Sequence, residues 1–547
     1  MPRLTPSPFF NFSLARLSRL ARNDCVTLLR LLLGTACCAA CAGSTYGEPK
    51  KPSRHVVLVI WDGMRPDFLS ETHTPTLWKF AQEGVTFLKH HSVYPTATQV
   101  NGTAIATGVY PARSGLMANR EYRPAIRVEG PVDTAVEEVV RRGDEISGGK
   151  YLTQPTVAEM VRAAGGTAVV AGSKSIAMLH DRKSEWTIAR RTQLTTAFAG
   201  APLPERRRDE LEKLLGPFRI RPTDTNDDRN AFTTGALTRF LWRDGIPDYS
   251  VLWLSDPDLT QHDTAPGSPE ALAAIKNIDR NLATVLQVLE KKGVRRHANV
   301  LVVSDHGFST INRAVDVPDV LRKAGFDAPD RFTETPKTGQ VMVVGNGGST
   351  LFYVVDREQQ TIRRLVEMLQ RSDFAGVIFA REKIEGTFDL QTARLDTAEP
   401  PDVVVAMRWT AAKNRFGIAG ELVADATRAV GKGTHASLSA YDVHNTLIAA
   451  GPDFQRNLQT QPPSGNVDIA PTVLHLLDLR PPEKLDGRVL TEALTGVANE
   501  SPVMRSETIE ARRELGEGEW RQYLKLSRIR EATYIDEGNG EFGSAKR

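Results

Sequence analysis

Three β-rich apolar runs in this sequence each end on acids or imidazoles. HVVLVIW leads into Asp62-Gly63, YSVLWLS into Asp256-Pro257-Asp258 with His262 four residues beyond Asp258, and NVLVVS into Asp305-His306-Gly307. Runs that are apolar on both faces suit buried strands of a parallel sheet, because neither face meets water. Ligands of open α/β sheets bind outside the carboxyl ends of the strands. Asp62, Asp258, Asp305, His262 and His306 are therefore expected to converge at one end of one sheet. Carboxylates so gathered repel and raise one another's pKa, and divalent cations are the simplest remedy. Mixed His and Asp ligands suit zinc or a similar ion, and two ions about 3.5–4 Å apart could share the set. Taken singly, each motif has a plainer reading: a turn for Asp-Gly, a loop acid for Asp258, a surface imidazole for His262. Their joint occurrence on separate strands carries the metal reading.

The elements that must hold these residues are legible too. Between the second and third runs lies PEALAAIKNIDRNLATVLQVLEKKG, in which Leu272, Ile275, Ile278, Leu282, Val285, Leu286 and Leu289 form one helical stripe ending at Gly293. This β-helix-β unit predicts a large doubly wound α/β core with a mostly parallel sheet covered by helices. The expected boundaries are a leader and linker over 1–49, a catalytic domain over 50–497 and a polar extension over 498–547, read as a hairpin. Two stretches read as additions to the core. The first, about 144–245, is rich in charge and turn residues. The second, about 311–430, has its own strands (GQVMVVG, STLFYVVD) and a helix (QTIRRLVEMLQRS), which suggests a smaller inserted α/β cap.

Composition narrows the function. The 547 residues, with 41% hydrophobic and 25% charged residues, have ordinary globular usage, so fibrous and wholly disordered readings are excluded. Eight of the 69 Lys and Arg lie in residues 1–54, against Asp24 and Glu48 alone, so that segment carries +6 of a formal +3 and the remainder carries −3. A basic nucleic-acid-binding surface has no support in that balance. The four cysteines, Cys25, Cys37, Cys38 and Cys41, all fall in the leader, so a Cys nucleophile or Cys-ligated zinc is excluded beyond it. Arg16, Arg19 and Arg22 precede an apolar run and then small residues (TACCAACAGS), the order of a secretory signal. The expectation is an exported chain, either periplasmic or tethered to a membrane as a lipoprotein through an acylated Cys37, Cys38 or Cys41. No later segment approaches 18 apolar residues.

The order WDG, YPTATQVNGTAIATGVYPARSGLMAN, PDLTQH, SDHGF and GKGTHAS, over residues 54 to about 490, resembles the alkaline phosphatase superfamily and, within it, the type I phosphodiesterase/nucleotide pyrophosphatase family. The resemblance implies two divalent ions, zinc in kind: one on Asp258, His262 and His435, the other on Asp62, Thr98, Asp305 and His306. His435 follows no strong strand and, on local sequence alone, reads as a loop histidine. Thr98 is the implied nucleophile. It lies at the start of a helix behind a Pro95 loop, where orphan amides favour an anion, although a plain N-cap threonine is the local alternative. Asn119 is the implied donor to a phosphoryl oxygen; Asn101, nearer in sequence, reads as a helix-start residue, and His90 and His91 as surface or packing residues.

The implied chemistry is in-line attack at phosphorus through a covalent phospho-threonine, on a small phosphate ester. Monoester-specific relatives add a Lys-x-Arg pair; here Lys174 fits the first cation as a substrate-binding residue, and Ile176 replaces the second. The resemblance thus points to phosphodiesters or nucleotide pyrophosphates, with a phosphomonoesterase or phosphonate hydrolase as the alternative. A non-catalytic exported binding protein is a further one. GNGGST at 345–350 lacks the Gly-Lys-Ser/Thr ending of a phosphate loop and reads as a turn between strands.

Overall fold

Alternation along the strand His55–Trp61 divides its side chains between two cores. In the computed structural model, which describes residues 54–182, 187–189, 205–217, 221, 223–496, 503–516 and 518–544, every residue of this strand is buried. Val56, Leu58 and Ile60 join Val100, Ala104, Ile105 and Val473 on one side of the sheet. Val57, Val59 and Trp61 join Ile275, Ile278, Leu282, Val285 and Leu289 on the other. The side-chain period of two thus feeds two helical layers from one strand. The leader expected at 1–49, with its cysteines, lies outside the described residues.

The strand is central in an eight-stranded sheet whose order is Leu458–Thr460, Val85–Phe87, Leu447–Ala450, Ala298–Val303, His55–Trp61, Tyr249–Leu254, Ala168–Gly172, Thr187–Ala189. From Ala298–Val303 to Thr187–Ala189 all pairings are parallel. Leu447–Ala450 runs antiparallel to both its neighbours. This is the doubly wound, mostly parallel α/β fold expected from the apolar runs. The predicted helix spans Pro269–Lys291; Ser268 caps it by accepting the Ala271 N–H, Pro269 occupies the first turn, and Gly293 at φ +70° follows its end.

The stretch at 144–245, expected as an addition, instead supplies Ala168–Gly172 and Thr187–Ala189 to the central sheet. Its charged helices disguise short core strands whose small residues (AVVAG) carry a weak strand signal. Within 311–430, five strands form a separate sheet in the order Val341–Gly345, Ser349–Val354, Val403–Met407, Ala375–Ala380, Phe388–Asp389. The helix Gln359–Gln370 lays Ile362, Leu365, Val366 and Leu369 against this sheet. A four-stranded sheet, Trp409–Lys413, Ala419–Asp425, Ser309–Val315, Gly433–Thr434, carries the chain back to the core.

The C-terminal extension, read as a hairpin, has one strand more than that. Met504–Glu514, Gly518–Ile529 and Ala532–Ser544 form an antiparallel three-stranded sheet. It docks on the five-stranded sheet: Trp520 enters the core with Leu365 and Ile378, and the Gln522 amide both accepts the Ile378 N–H (2.7 Å) and donates to the Ile378 carbonyl (3.1 Å).

Leu282→Ala removes a fully buried side chain from the core on the helical side of the sheet. We expect a loss of about 2–5 kcal/mol, read as a lower urea midpoint. Lys276→Ala on the exposed face of the same helix should stay within about 0.5 kcal/mol of the parent.

Candidate metal centre

Register brings the three acids together. His55–Trp61 pairs with Tyr249–Leu254 so that Trp61 faces Leu254, and with Ala298–Val303 so that Ile60 faces Val303. The chain leaves all three strands at the same end, and Asp62, Asp258 and Asp305 are all buried there. Gly63 makes the turn at φ +73°; a Cβ at this position would stand 3.0 Å from Asp258 Cβ, so the Asp-Gly pair is a turn and part of the site at once. Asp258 opens the helix Asp258–Thr264 and His262 follows one turn later on the same face, its Nε2 3.3 Å from Asp258 Oδ1. His435 follows the short strand Gly433–Thr434, with Nε2 3.4 Å from the same oxygen. His306 Nε2 is 3.3 Å from Asp305 Oδ2, 3.7 Å from Asp62 Oδ1 and 3.9 Å from Asp258 Oδ1.

Each carboxylate has one oxygen served by the protein and one left without a partner. Asp62 Oδ2 accepts Trp253 Nε1–H at 2.8 Å, Asp305 Oδ1 accepts the Gly63 and His306 N–H groups at 3.0 Å each, and Asp258 Oδ2 accepts from Lys174 at 2.5 Å. Asp62 Oδ1, Asp258 Oδ1 and Asp305 Oδ2 have no hydrogen-bond partner although buried. The imidazoles are prepared in the complementary sense. His262 Nδ1 donates to the Gly433 carbonyl, His306 Nδ1 to that of Gly307 and His435 Nδ1 to that of Thr96, at 2.8–2.9 Å, which leaves each Nε2 lone pair for a cation. Orphaned anionic oxygens beside oriented imidazole lone pairs are a donor set that fits zinc-class divalent ions.

Electrostatics agree. Burial, and then the Asp305 charge, hold the Asp62 carboxyl well above the usual range. Burial likewise raises Asp305. Burial pushes Asp258 up as well, but Lys174, and behind it His262, more than offset this and leave its carboxyl well below the usual range. Burial lowers His262 and His435 and so keeps them neutral. Asp258, His262 and His435 form one compact ligand group and Asp62, Asp258 and His306 another. Asp258 thus stands in both groups, although the resemblance assigns it to one ion.

Thr98 is the first residue of the helix Thr98–Thr107, with Ala97 in the capping position, so the N-cap alternative is excluded. Its Oγ1 lies 3.2 Å from His306 Nε2. Asn119 Oδ1 accepts the Gln99 N–H at 2.9 Å, which fixes the amide so that Nδ2 is the end able to donate. Asn101 pins the loop before the helix: its Oδ1 accepts the Val93 N–H and its Nδ2 donates to the carbonyls of Val93 and Ala97. Lys174 is no surface residue; its side chain is 12% exposed and its ammonium pairs with Asp62 (2.9 Å) as well as Asp258. Ile176 is buried in the core against Gly102 and Trp253, so it does not occupy the second position of a cation pair at the site.

One residue escaped the sequence reading. Asp442 is fully buried between the histidine loops: it accepts Ser309 Oγ and Ser437 Oγ at 2.6 Å each, and its own carbonyl accepts the Gly307 N–H at 2.8 Å. It therefore ties the loop of His306 to that of His435. The serines of ASLSAYD, spaced around one acid, were the available signal. Asp442→Ala should weaken metal binding and activity about 10–100-fold, with Asp442→Asn recovering part, as measured by chelator competition alongside rate.

Residues 56–437 match the family model described as type I phosphodiesterase / nucleotide pyrophosphatase. A bis(5'-adenosyl)-triphosphatase of Mus musculus is 21% identical over 431 residues, which covers 78% of this chain and 78% of its own. Venom phosphodiesterase 2 of Crotalus adamanteus is 22% identical over 280 residues, or 50% of this chain but only 29% of the venom protein, so the chain spans less than a third of that relative. Among solved structures, murine ectonucleotide pyrophosphatase / phosphodiesterase 5 in complex with AMP superimposes with a TM-score of 0.56 at 17% identity, over 81% of this chain and 100% of its own.

Proposed function

Since this chain belongs to the type I phosphodiesterase/nucleotide pyrophosphatase family, we propose that it is an exported, metal-dependent hydrolase of small phosphodiesters or nucleotide pyrophosphates that works through a phospho-threonine at Thr98. The observation that carries this reading is the set of orphaned oxygens on Asp62, Asp258 and Asp305 beside Thr98 and His306. Asp258, His262 and His435 would hold one ion, and Asp62, Thr98, Asp305 and His306 the other. Bound there, zinc-class ions would neutralise phosphoryl oxygens and make the threonine hydroxyl more acidic.

The chain's own residues supply the rest. Thr98 stands at a helix start with its hydroxyl buried, so the nucleophile is held in one place and kept from bulk water. Its Oγ1 attacks phosphorus as its proton passes to solvent, the P–O bond to the leaving group breaks, and the departing alkoxide or phosphate oxygen takes up a proton from solvent. Water then attacks the phospho-threonine, and the P–O bond to Thr98 breaks to restore the hydroxyl. Asn119 Nδ2, fixed by the Gln99 N–H, donates to a phosphoryl oxygen as charge builds on it. Lys174 positions the Asp62 and Asp258 carboxylates and offers a cation to a substrate oxygen. The basic, apolar and small-residue order of the leader supports export, to a periplasm or, through an acylated Cys37, Cys38 or Cys41, to a membrane surface. Among the described residues no helix is long and apolar enough to cross a membrane.

Thr98→Ala should abolish turnover with an unchanged circular dichroism spectrum, and Thr98→Ser should keep part of the rate. Asn119→Ala should cost about 10²–10³ in rate, the scale of one lost oxyanion donor. A Thr98→Ala protein with full activity would remove the nucleophile assignment.

Chelation should abolish activity and zinc should restore it. With zinc present, kcat/KM for bis-p-nitrophenyl phosphate or a nucleotide phosphodiester should exceed that for p-nitrophenyl phosphate. The extra charge of a monoester finds no second cation beside Lys174, because Ile176 belongs to the core. A tenfold preference for the monoester would replace this reading with a phosphomonoesterase.

A further inference from the structure

Outside the candidate centre, the described residues contain one other histidine with the same pattern of partners. His91, in the short strand His90–His91, is 1% exposed; its Nδ1 meets the Ser464 carbonyl at 2.8 Å and its Nε2 meets Asp536 Oδ1 at 2.8 Å. A carbonyl only accepts, so Nδ1 carries a proton. The carboxylate also only accepts. Nε2 and Asp536 Oδ1, 2.8 Å apart, therefore meet either as a hydrogen bond from a doubly protonated His91 or, with the two atoms turned slightly apart, as neighbouring ligands of one cation. The second imidazole decides between these. His444 stands with its ring centre 4.6 Å from that of His91 and offers a ring nitrogen to the same group of atoms. A second imidazole beside an imidazolium–carboxylate pair adds nothing to that pair, whereas it completes a ligand set for a metal.

Ligand atoms of His91, His444 and Asp536 all lie within 4.8 Å of one another. Asp536 is oriented as ligating carboxylates are, by two contacts of 2.9 Å from Ser527 Oγ. The cluster shares no residue with the candidate centre. Its surroundings favour a fixed ion: Tyr534 stacks on His91 at 5.4 Å and Asp536 retains 21% side-chain exposure, which gives an entry path.

We infer that His91, His444 and Asp536 form a further binding site for a zinc-class divalent ion, one that fastens the C-terminal sheet to the catalytic core. Asp536 belongs to the last strand, Ala532–Ser544, while both histidines belong to the core, so an ion there joins chain segments more than 400 residues apart in sequence, as the His91–Asp536 contact spans 445. Two imidazoles and one carboxylate leave a position for water, a set that suits zinc or cobalt rather than calcium or magnesium. The consequence is mechanical, not chemical: the ion stabilises the docked extension by binding only the folded state.

The test counts ions on the full chain. Metal-free protein titrated with Co(II) or Zn(II) should bind one more tight equivalent than Asp536→Asn does, and the zinc-dependent rise in Tm should be smaller in the variant by several degrees. Hydrolytic activity of Asp536→Asn at saturating zinc should stay within about twofold of the parent. Should Asp536→Asn fail to fold, His444→Ala is read by the same count. Equal stoichiometry in parent and variant overturns the inference and leaves the doubly protonated His91–Asp536 pair. Because the readout is a difference of one equivalent, it stands whether or not the two-ion reading of the catalytic centre survives.

Discussion

In-register parallel pairing of three neighbouring strands is the constraint on which the centre rests. The carbonyl ends of His55–Trp61, Tyr249–Leu254 and Ala298–Val303 lie level, so the residues that follow them emerge into one space. A slip of one residue in any of the three would turn its side chains to the opposite face and carry a carboxylate out of the centre. The register is itself held by burial on both faces, since every position from Val56 to Trp61 contributes to one core or the other. Stability and ligand geometry are therefore set by the same side chains.

What the fold holds in place is unfavourable by itself. Three carboxylates are fully buried, and Lys174 is the cation that pairs with two of them. Desolvation of like charges resists ionisation, which explains why Asp62 and Asp305 are held up while Asp258, nearest the ammonium, is held down. The surrounding polar network sacrifices ordinary satisfaction for orientation. Main-chain carbonyls take the Nδ1 protons of three histidines, and Asp442 with its serines locks two of the loops that carry them. The unpartnered oxygens of Asp62, Asp258 and Asp305 all lie within 3.3–3.9 Å of His306 Nε2.

Much of this was legible in the sequence, for identifiable reasons. Runs such as HVVLVIW declare a buried parallel strand, and the residue after such a run must lie at the strand's end, so Asp62, Asp305 and their neighbours could be placed without coordinates. The helical stripe from Leu272 to Leu289 was equally direct. His435 could be placed only by resemblance, because Gly433–Thr434 is a two-residue strand with no pattern of its own. Asp442 was only hinted at by the serines of ASLSAYD, because its other partner, Ser309, lies 133 positions away and no linear pattern encodes that meeting. Ile176 shows the limit of motif spacing: its neighbour Lys174 pairs with the carboxylates, while Ile176 itself is buried in the apolar core. The segment at 144–245 looked peripheral because Ala168–Gly172 is short and only Val169 and Val170 in it mark a strand, although it borders Tyr249–Leu254.

The antiparallel strand Leu447–Ala450 sits between Val85–Phe87, from near the start of the described chain, and Ala298–Val303. During synthesis the sheet therefore waits for a strand that leaves the ribosome late. Until then Val85–Phe87 has no path to the parallel half of the sheet, and the nascent chain exposes apolar edges that invite chaperones or aggregation. His435 emerges only a dozen residues before that linking strand, so the last ligand of the centre and the join between the two halves of the sheet appear nearly together. A chain ending before this point lacks both His435 and the strand that joins Val85–Phe87 to the parallel half of the sheet.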